Sequence, residues 1–520
     1  MRPLHDDSPS FHPPSRMAAR LGHLALYGAA LLLLAAILIR ILTAPDLNWD
    51  AIAYHLPFVG RLAGLCGPDC YTMFYFFEDR FPGFPKSIHY IQAALWRISG
   101  APQAAGLAGI GLLLGLIAYL RLEFKVSPAL AFLAFLAPPL VMIHASSGYV
   151  DLPSSALATI AFLSILVAWA SPERFASPCF ANGRGGFGRL ALFVAACSLF
   201  ANGKPQSFVP GALLVAAMGA VLFAGWRRGR LFQSGGELTA AILLLGVGVA
   251  AVVWSPLDNL LRFGNPVYPI EFSLGPWRFP GPEPLRMSQS VSISPALADL
   301  PSPLRWVMSV FEINAYDGRT TPWTIDQGGV EYTRPSFRMG GYGVGLVVAN
   351  LLVFLALVLP GRWSGLRALS TSWTRAAGFL FAGLTLVTAA MPMAHELRYG
   401  MSWILGLIGL NLILLSEGIA GAGRSGLELV LRGVTLMGLA STLAVTGGRY
   451  VAIHPDQDLA STLRVLGIDR QIAERVHDGN VVCLDNTLPY SYLYAPIFHP
   501  GRQYRAVEFG KEGCDVVLSR

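Results

Sequence analysis

Charged residues are scarce in this sequence. Asp, Glu, Lys and Arg make up 13% of its 520 residues, whereas soluble domains carry about 25%. Hydrophobic residues make up 54%, and the mean hydropathy is +0.52. This scarcity excludes an ordinary soluble domain and predicts that most of the chain lies in lipid. The net charge of +7 resides in short loops between apolar runs, which is typical of membrane proteins, so we expect no nucleic-acid partner.

Motifs of soluble enzymes are also absent from the sequence. It contains no HExxH, no phosphate-binding P-loop, no GxSxG and no Rossmann glycine pattern between a strand and a helix. Nucleotide chemistry of the soluble kind is therefore not expected. No long internal repeat is evident either, which disfavours the two-fold architecture of many transporters.

Long apolar runs make up most of the sequence. Because about 20 apolar residues cross the ~30 Å of hydrocarbon in a bilayer, these runs predict about eleven transmembrane helices, at 24–43, 103–120, 128–145, 154–171, 189–203, 208–226, 238–257, 342–360, 376–392, 401–416 and 428–447. Basic residues follow the even-numbered spans, which predicts an N-terminus inside and a C-terminus outside. The polar residues 1–23 lack a clear cleavage site and are interpreted as a disordered cytoplasmic lead.

The predicted topology places the long connecting segments on one side of the membrane. The transmembrane domain, residues 24–447, has outside loops at 44–102 and 256–341, and the tail, residues 448–520, lies on the same side. Long loops are usually functional. We therefore expect the chemistry on this outer side, with amphipathic helices in the loops.

The tail has the pattern of a small α/β unit. Residues 456–477 show helical periodicity, and the short apolar runs 480–485 and 515–519 predict buried strands. A unit of roughly 70 residues is marginal alone, so we expect it to pack on the outside loops.

Cysteines are few, and four of the six fall in the predicted outside regions. Cys66 and Cys70 lie in the first loop, and Cys483 and Cys514 lie in the tail. An oxidising compartment permits one disulfide in each region, and free thiols are the alternative.

An acidic residue follows the first span. Asp50, within Asn48–Pro57, places a carboxylate at the membrane–water boundary. Capping of a helix explains Asp50 taken alone. Tyr54 and His55, however, follow on part of the same helical face. A polar cluster on an interfacial helix suits a site that receives a lipid-linked head group.

Two further candidates lie at predicted outer ends of spans. Asp151 is the only acidic residue in the turn between the third and fourth spans, where it either caps a helix or serves a functional site. Lys204 interrupts an apolar stretch on the outer side, either as a snorkelling lysine or as a point charge for a phosphate.

Arg398 and Tyr399 lie between the ninth and tenth spans. Arg398 either clamps a phosphate through two hydrogen bonds or forms a plain ion pair with Glu396. Glu78 and Asp79 in the first loop are alternates to Asp151.

These segments together resemble the integral-membrane glycosyltransferases of the GT-C type, which include protein O-mannosyltransferases, lipid A aminoarabinose transferases and their bacterial relatives. The resemblance covers most of the membrane portion and not the tail. It rests on Asn48–Pro57, Asp151, Lys204, Gly264–Pro269 and Arg398–Tyr399. Many members have two adjacent acidic residues in the first loop, whereas Asp50 has no acidic neighbour, so a divalent metal ion stays an open possibility.

The resemblance implies a function at the outer face of a bacterial inner membrane, facing the periplasm. The donor would be a polyprenyl-phosphate sugar, and the acceptor a hydroxyl of a glycan, lipid or protein. Asp50 would act as general base in an inverting transfer, and Asp151 would be a second acidic residue of the catalytic site. The substrate and its phosphate would be bound by Tyr54, His55, Lys204, Arg398 and Tyr399. The alternatives are a lipid-linked glycan ligase or polymerase, and a transporter or flippase, which would need charges in mid-span.

Overall fold

A computed structural model describes most of the chain and is discussed for those residues only. The described residues are 16–67, 77–176, 187–232, 234–284, 300–313, 341–359, 371–418, 422–445, 451–452, 458–485, 490–508 and 513–519.

Helices dominate the described chain. In chain order the α-helices are α1 (Arg16–Thr43), α2 (Leu56–Leu62), α3 (Arg80–Gly83), α4 (Ser87–Ser99), α5 (Leu107–Phe124), α6 (Pro128–Leu136), α7 (Pro139–Ala145), α8 (Asp151–Ala170), α9 (Pro172–Ala176), α10 (Phe187–Ala201), α11 (Phe208–Arg227), α12 (Gly235–Phe263), α13 (Ser302–Val310), α14 (Val344–Val358), α15 (Thr371–Ala390), α16 (Met401–Gly418), α17 (Ala422–Val445), α18 (Leu459–Val465) and α19 (Ile468–Arg475). The strands are β1 (Ile270–Leu274), β2 (Trp277–Phe279), β3 (Glu283–Pro284), β4 (Val481–Leu484), β5 (Arg505–Glu508) and β6 (Val516–Leu518).

Eight helices within the described residues are long and apolar enough to cross a membrane. The pair α6–α7, bent by 104° next to Pro138 and Pro139, makes a ninth if it forms one span. The apolar helices α10 and α14 have 15 residues each, fewer than the roughly 20 that a full span needs. The predicted polytopic α-helical membrane protein is confirmed, and the predicted number of about eleven spans stays a prediction.

Helices α8 and α16 form the centre of the membrane domain. In the most apolar stretch of α8, 94% of the residues are buried, against 17% in α12, which faces outward. Small residues in α8, among them Ser154, Ala158 and Ala161, let neighbouring helices approach closely. Helix α8 contacts α5, α10, α11, α15 and α16. The N-terminal end of α8 is therefore a fixed point around which loops assemble.

The two long loops, which follow α1 and α12, pack against each other. A small sheet of order β2-β1-β3 follows α12, with β1 and β2 antiparallel and β1 and β3 parallel. Glu283, in the edge strand β3 of this sheet, accepts two hydrogen bonds from Arg80 of the first loop, at 2.7 and 2.8 Å. The hydroxyl of Tyr268 donates to Asp79 Oδ1 at 2.9 Å. Gly83 lies so close to Tyr268 that a Cβ there would be 2.5 Å from the Tyr268 carbonyl oxygen.

These contacts account for the alternates Glu78 and Asp79. Glu78 accepts two hydrogen bonds from Arg61, at 2.7 and 2.9 Å, and Asp79 accepts from Tyr268. Both carboxylates stabilise the loops, and neither lines the cleft described below.

The tail contains a three-stranded parallel sheet of order β5-β4-β6 with α18 and α19. Strands β4 and β6 lie within the predicted runs 480–485 and 515–519, and the small α/β unit is confirmed. Strand β5, with the sequence RAVE, was not predicted because its charged end residues leave only two apolar residues between them. Tyr492 and Phe498 of this unit pack on Trp96 of α4, with ring centroids 6.4 and 6.5 Å apart. The predicted domain boundaries stay a prediction.

A disulfide joins Cys483 to Cys514 across 31 positions of the tail. Cys70 lies outside the described residues, so the pairing of Cys66 with Cys70 stays a prediction. We expect replacement of both tail cysteines by alanine to destabilise the unit by about 3 kcal/mol, because the cross-link restricts the unfolded tail. Thermal unfolding combined with limited proteolysis of the tail measures this, with Cys197→Ala as a control. Equal resistance of variant and wild type would contradict the expectation.

Candidate active site

Most of the candidate residues from the sequence meet in one cleft on the side of the long loops. The cleft is lined by Asp50, Tyr54, His55, Asp151, Lys204 and Tyr399. These residues come from the first loop, the start of α8, the turn after α10 and the segment that leads into α16. Their convergence follows from the central position of α8 and α16.

Asp50 lies directly before a buried π-helical turn, Ala51–His55. Turns of this kind are rare and frequent at functional sites. The backbone N–H of Asp50 donates to the Tyr149 hydroxyl at 2.9 Å. Its carboxylate Oδ2 accepts a hydrogen bond from Arg398 Nη1 at 2.5 Å. Asp50 is thus held by one contact through its backbone and one through its carboxylate.

Arg398 has several partners at once. Its Nε donates to Glu396 Oε2 at 3.1 Å, and its Nη2 donates to the Tyr399 hydroxyl at 3.1 Å. The guanidinium carbon lies 4.9 Å from the Tyr399 ring centroid and 5.7 Å from that of Tyr149. Arg398 therefore forms the ion pair with Glu396 that the sequence left open, and pairs with Asp50 in addition.

Lys204 and Asp151 form a second, buried ion pair. Lys204 Nζ donates to Asp151 Oδ1 at 2.6 Å, and the two side chains are 7% and 4% exposed. His144 Nε2 lies 3.9 Å from the other oxygen of Asp151. Gly203 makes this possible, because a Cβ there would lie 2.6 Å from Ser154 Oγ. Asp151 thus lies in the first turn of α8 and is also the counterion of Lys204.

His55 faces a histidine that the sequence analysis missed. His55 Nδ1 and His89 Nε2 are 2.8 Å apart, and both rings are buried. Burial lowers the pKa of His55 to about 3 and lowers the pKa of His89 well below its usual value. Both imidazoles are therefore neutral at physiological pH. In the hydrogen bond between the two rings, one nitrogen donates its N–H and the other accepts it.

This histidine pair makes stability depend on pH. The unfolded chain binds protons to both rings near pH 6.5, whereas the folded protein does not, so stability is full above pH 6.5 and falls as the pH drops towards 3. In this window, each ring lowers the free energy of unfolding by up to about 1.4 kcal/mol for every pH unit of acidification. Thermal unfolding between pH 7.5 and 5, where carboxylates stay ionised, measures the slope. We expect a shallower slope in His89→Asn, and an unchanged slope would contradict the prediction.

Two more residues that hold the site were not predicted. Asp46 Oδ2 accepts from the backbone N–H of Gly148 at 2.6 Å and joins the first loop to the turn before α8. Tyr149 is fully buried and supports Asp50 from the same turn. Asp46 lies a few residues before Asp50, and Tyr149 lies a few residues before Asp151. This proximity in the sequence was the only sign that they belong to the site.

Tyr54 forms an aromatic wall of the cleft. Its ring lies 4.2 Å from the His55 ring, and the Arg80 guanidinium lies 5.0 Å from its centroid. Burial raises the pKa of Tyr54 well above 10, so the phenol stays neutral.

A metal ion has no evident ligand set here. Asp50 and Asp151 are each paired with a cation, and the described residues contain no group of three or more His, Cys, Asp or Glu side chains suited to a metal ion. The divalent metal ion left open by the sequence stays a prediction.

Solved structures share this architecture. No protein-family model matches the sequence, and no curated protein matches it. The structure is similar to that of ArnT from Cupriavidus metallidurans bound to undecaprenyl phosphate, with a TM-score of 0.50 and 13% identity over 94% of this chain and 87% of that chain. The chain has the GT-C fold. This likeness confirms the fold that the resemblance implied from the sequence.

Two further structures were found at lower similarity. The apo state of the same ArnT gives a TM-score of 0.46 and 14% identity over 94% of this chain and 87% of that chain. The archaeal oligosaccharyltransferase AglB from Archaeoglobus fulgidus, in complex with an inhibitory peptide and a dolichol-phosphate, gives 0.40 and 13% identity, over 94% of this chain and 64% of that chain. With identities this low, what the GT-C fold does in this chain follows from its own residues.

Proposed function

We propose that the protein transfers a sugar from a polyprenyl-phosphate-linked donor to an acceptor hydroxyl on the outer face of the membrane, with inversion at the anomeric carbon. The observation that carries the proposal is the cleft, in which Asp50, Lys204 and Tyr399 meet although the chain separates them widely. A carboxylate and a cation in one cleft suit a proton acceptor and a phosphate.

The donor is proposed from the position and chemistry of the cleft. Two candidate membrane spans begin at residues that line the cleft, Asp151 and Pro205, so an isoprenoid tail can stay in lipid while the sugar-phosphate enters. The solved structure of ArnT is bound to undecaprenyl phosphate, a lipid phosphate of this class.

Asp50 is proposed as the general base. The acceptor oxygen attacks C1 of the sugar, its proton passes to the Asp50 carboxylate, and the bond between C1 and the phosphate oxygen breaks. The leaving polyprenyl phosphate gains negative charge in this step. Lys204 and Arg398 stabilise that charge, because fixed cations act most strongly where charge develops.

The remaining residues have supporting roles in the proposal. Asp151 acts through Lys204, whose ammonium it holds in place at 2.6 Å. Tyr54, His55 and Tyr399 present aromatic faces and neutral polar atoms to the sugar. We place the cleft on the periplasmic face of a bacterial inner membrane, with a glycan, a lipid or a protein as acceptor.

Purified full-length protein in nanodiscs, incubated with radiolabelled polyprenyl-phosphate sugars, tests the proposal. We expect release of the sugar from at least one donor. A product that grows by repeated glycan addition would identify a ligase or polymerase using the same donor. No release and no binding of any donor in the panel would contradict the proposal and favour a diphosphate donor or a transporter.

A further inference from the structure

Carboxylates and cations in and around the cleft are closely matched. Arg398 faces Asp50 and Glu396, and Lys204 faces Asp151. With its histidines neutral, this cluster has one carboxylate more than it has cations. An anionic phosphate therefore meets cations that already have partners, and replacing one of these carboxylates removes the excess of negative charge that its arrival creates.

The partners of Arg398 differ in how firmly they are held. Glu396 lies two residues from Arg398 in the same turn, and its side chain is 5% exposed. Asp50 belongs to the first loop, its side chain is 15% exposed, and it lines the cleft. Arg398 itself does not line the cleft, whereas Asp50 and Tyr399, which it contacts, both do. Asp50 is therefore the partner that a ligand in the cleft can replace.

The Asp50–Arg398 pair also bears on proton transfer. Asp50 Oδ2 accepts a hydrogen bond from Arg398 Nη1 at 2.5 Å, so in this pair the oxygen is directed at the guanidinium and is already occupied. A base in this state is unsuited to taking the proton of an acceptor hydroxyl. Phosphate and carboxylate fit the same planar guanidinium fork, so one can take the place of the other.

We propose that Arg398 exchanges partners in the reaction cycle: it holds Asp50 in the ligand-free protein, and the phosphate of the arriving donor displaces Asp50 and frees it to act as base. This inference rests on the proposed function. It predicts that the donor binds before the acceptor is activated, and that the base is unavailable without a donor. Glu396 and the Tyr399 hydroxyl keep Arg398 in place during the exchange.

Binding of undecaprenyl phosphate to full-length protein in nanodiscs tests the exchange. Asp50→Asn removes the competing charge and keeps the side-chain shape, so we expect about tenfold tighter binding than in wild type, equivalent to about 1.4 kcal/mol. Asp50→Ala should show the same gain. Asp258→Asn, which removes an exposed carboxylate paired with Arg262, is the matched control and should bind as wild type does.

The uncharged alcohol undecaprenol separates charge from the lipid tail, and its affinity should be equal in all variants. Equal or weaker phosphate binding by Asp50→Asn would overturn the exchange while leaving the lipid-phosphate donor intact. If Asp50→Asn increased the affinity for the alcohol as much as the affinity for the phosphate, the exchange would also be overturned. Absence of phosphate binding in wild type and variants alike would overturn the donor class and the exchange together.

Discussion

Asp50→Asn abolishes measurable sugar transfer while the protein folds normally: this is the result with the largest expected effect on activity. A general base contributes about 10²–10⁴-fold to rate, and asparagine accepts no proton. The amide keeps the shape of the side chain, and Arg398 retains Glu396 and Tyr399 as partners. The variant should therefore show normal expression and thermal unfolding.

The measurement is release of radiolabelled sugar from the donor identified with wild-type protein. Asp258→Asn provides the same change of charge at an exposed position and should keep full activity. Retained turnover in well-folded Asp50→Asn would remove Asp50 from the role of base. Loss of turnover together with intact binding of the lipid phosphate would assign the defect to chemistry rather than to donor binding.

Lys204→Met is expected to be the most destabilising single substitution at the site. It leaves the Asp151 carboxylate buried without its cation, and removal of one partner from a buried ion pair costs about 3–5 kcal/mol. Asp151→Asn in the same chain removes the orphaned charge, so the double variant should recover most of this loss. Thermal unfolding of the two single variants and the double variant measures the coupling energy as a double-mutant cycle.

Sugar transfer by the same variants distinguishes a structural role of Lys204 from a catalytic one. If Lys204 stabilises the leaving phosphate, the double variant regains stability but not turnover. A double variant as active as wild type would show that Lys204 serves only to balance Asp151. A Lys204→Met protein as stable as wild type would mean that the pair contributes nothing to the folded state.

The sequence predicted the membrane class and several cleft residues for a simple reason. Scarcity of charge makes each polar residue at the end of an apolar run conspicuous, and Asp50, Asp151, Lys204 and Arg398 are such residues. A tight turn beside an apolar run places them at a membrane boundary regardless of how helices pack. Their location on the same side followed from the charge bias of the loops.

The pairing of these residues was beyond the sequence. Asp50 and Arg398 are 348 positions apart, and only the packing of α8 and α16 in the centre brings them together. All the predicted spans are similarly apolar, so hydropathy could not identify the central ones. His89 lies on a loop helix among ordinary polar residues, and its partnership with His55 depends on the packing of the first loop.

The docking of the first outside loop on the sheet after α12 has a consequence for engineering this protein. Arg80 is held by Glu283 and at the same time stacks on the Tyr54 ring, so the cleft wall and the sheet form one mechanical unit. Chimeras that exchange one of these loops with a homologue will misplace Tyr54, whereas those that exchange 44–99 and 256–284 together keep the wall intact. The two segments form a single transplantable module, although helices α5 to α11 and most of α12 lie between them in the sequence.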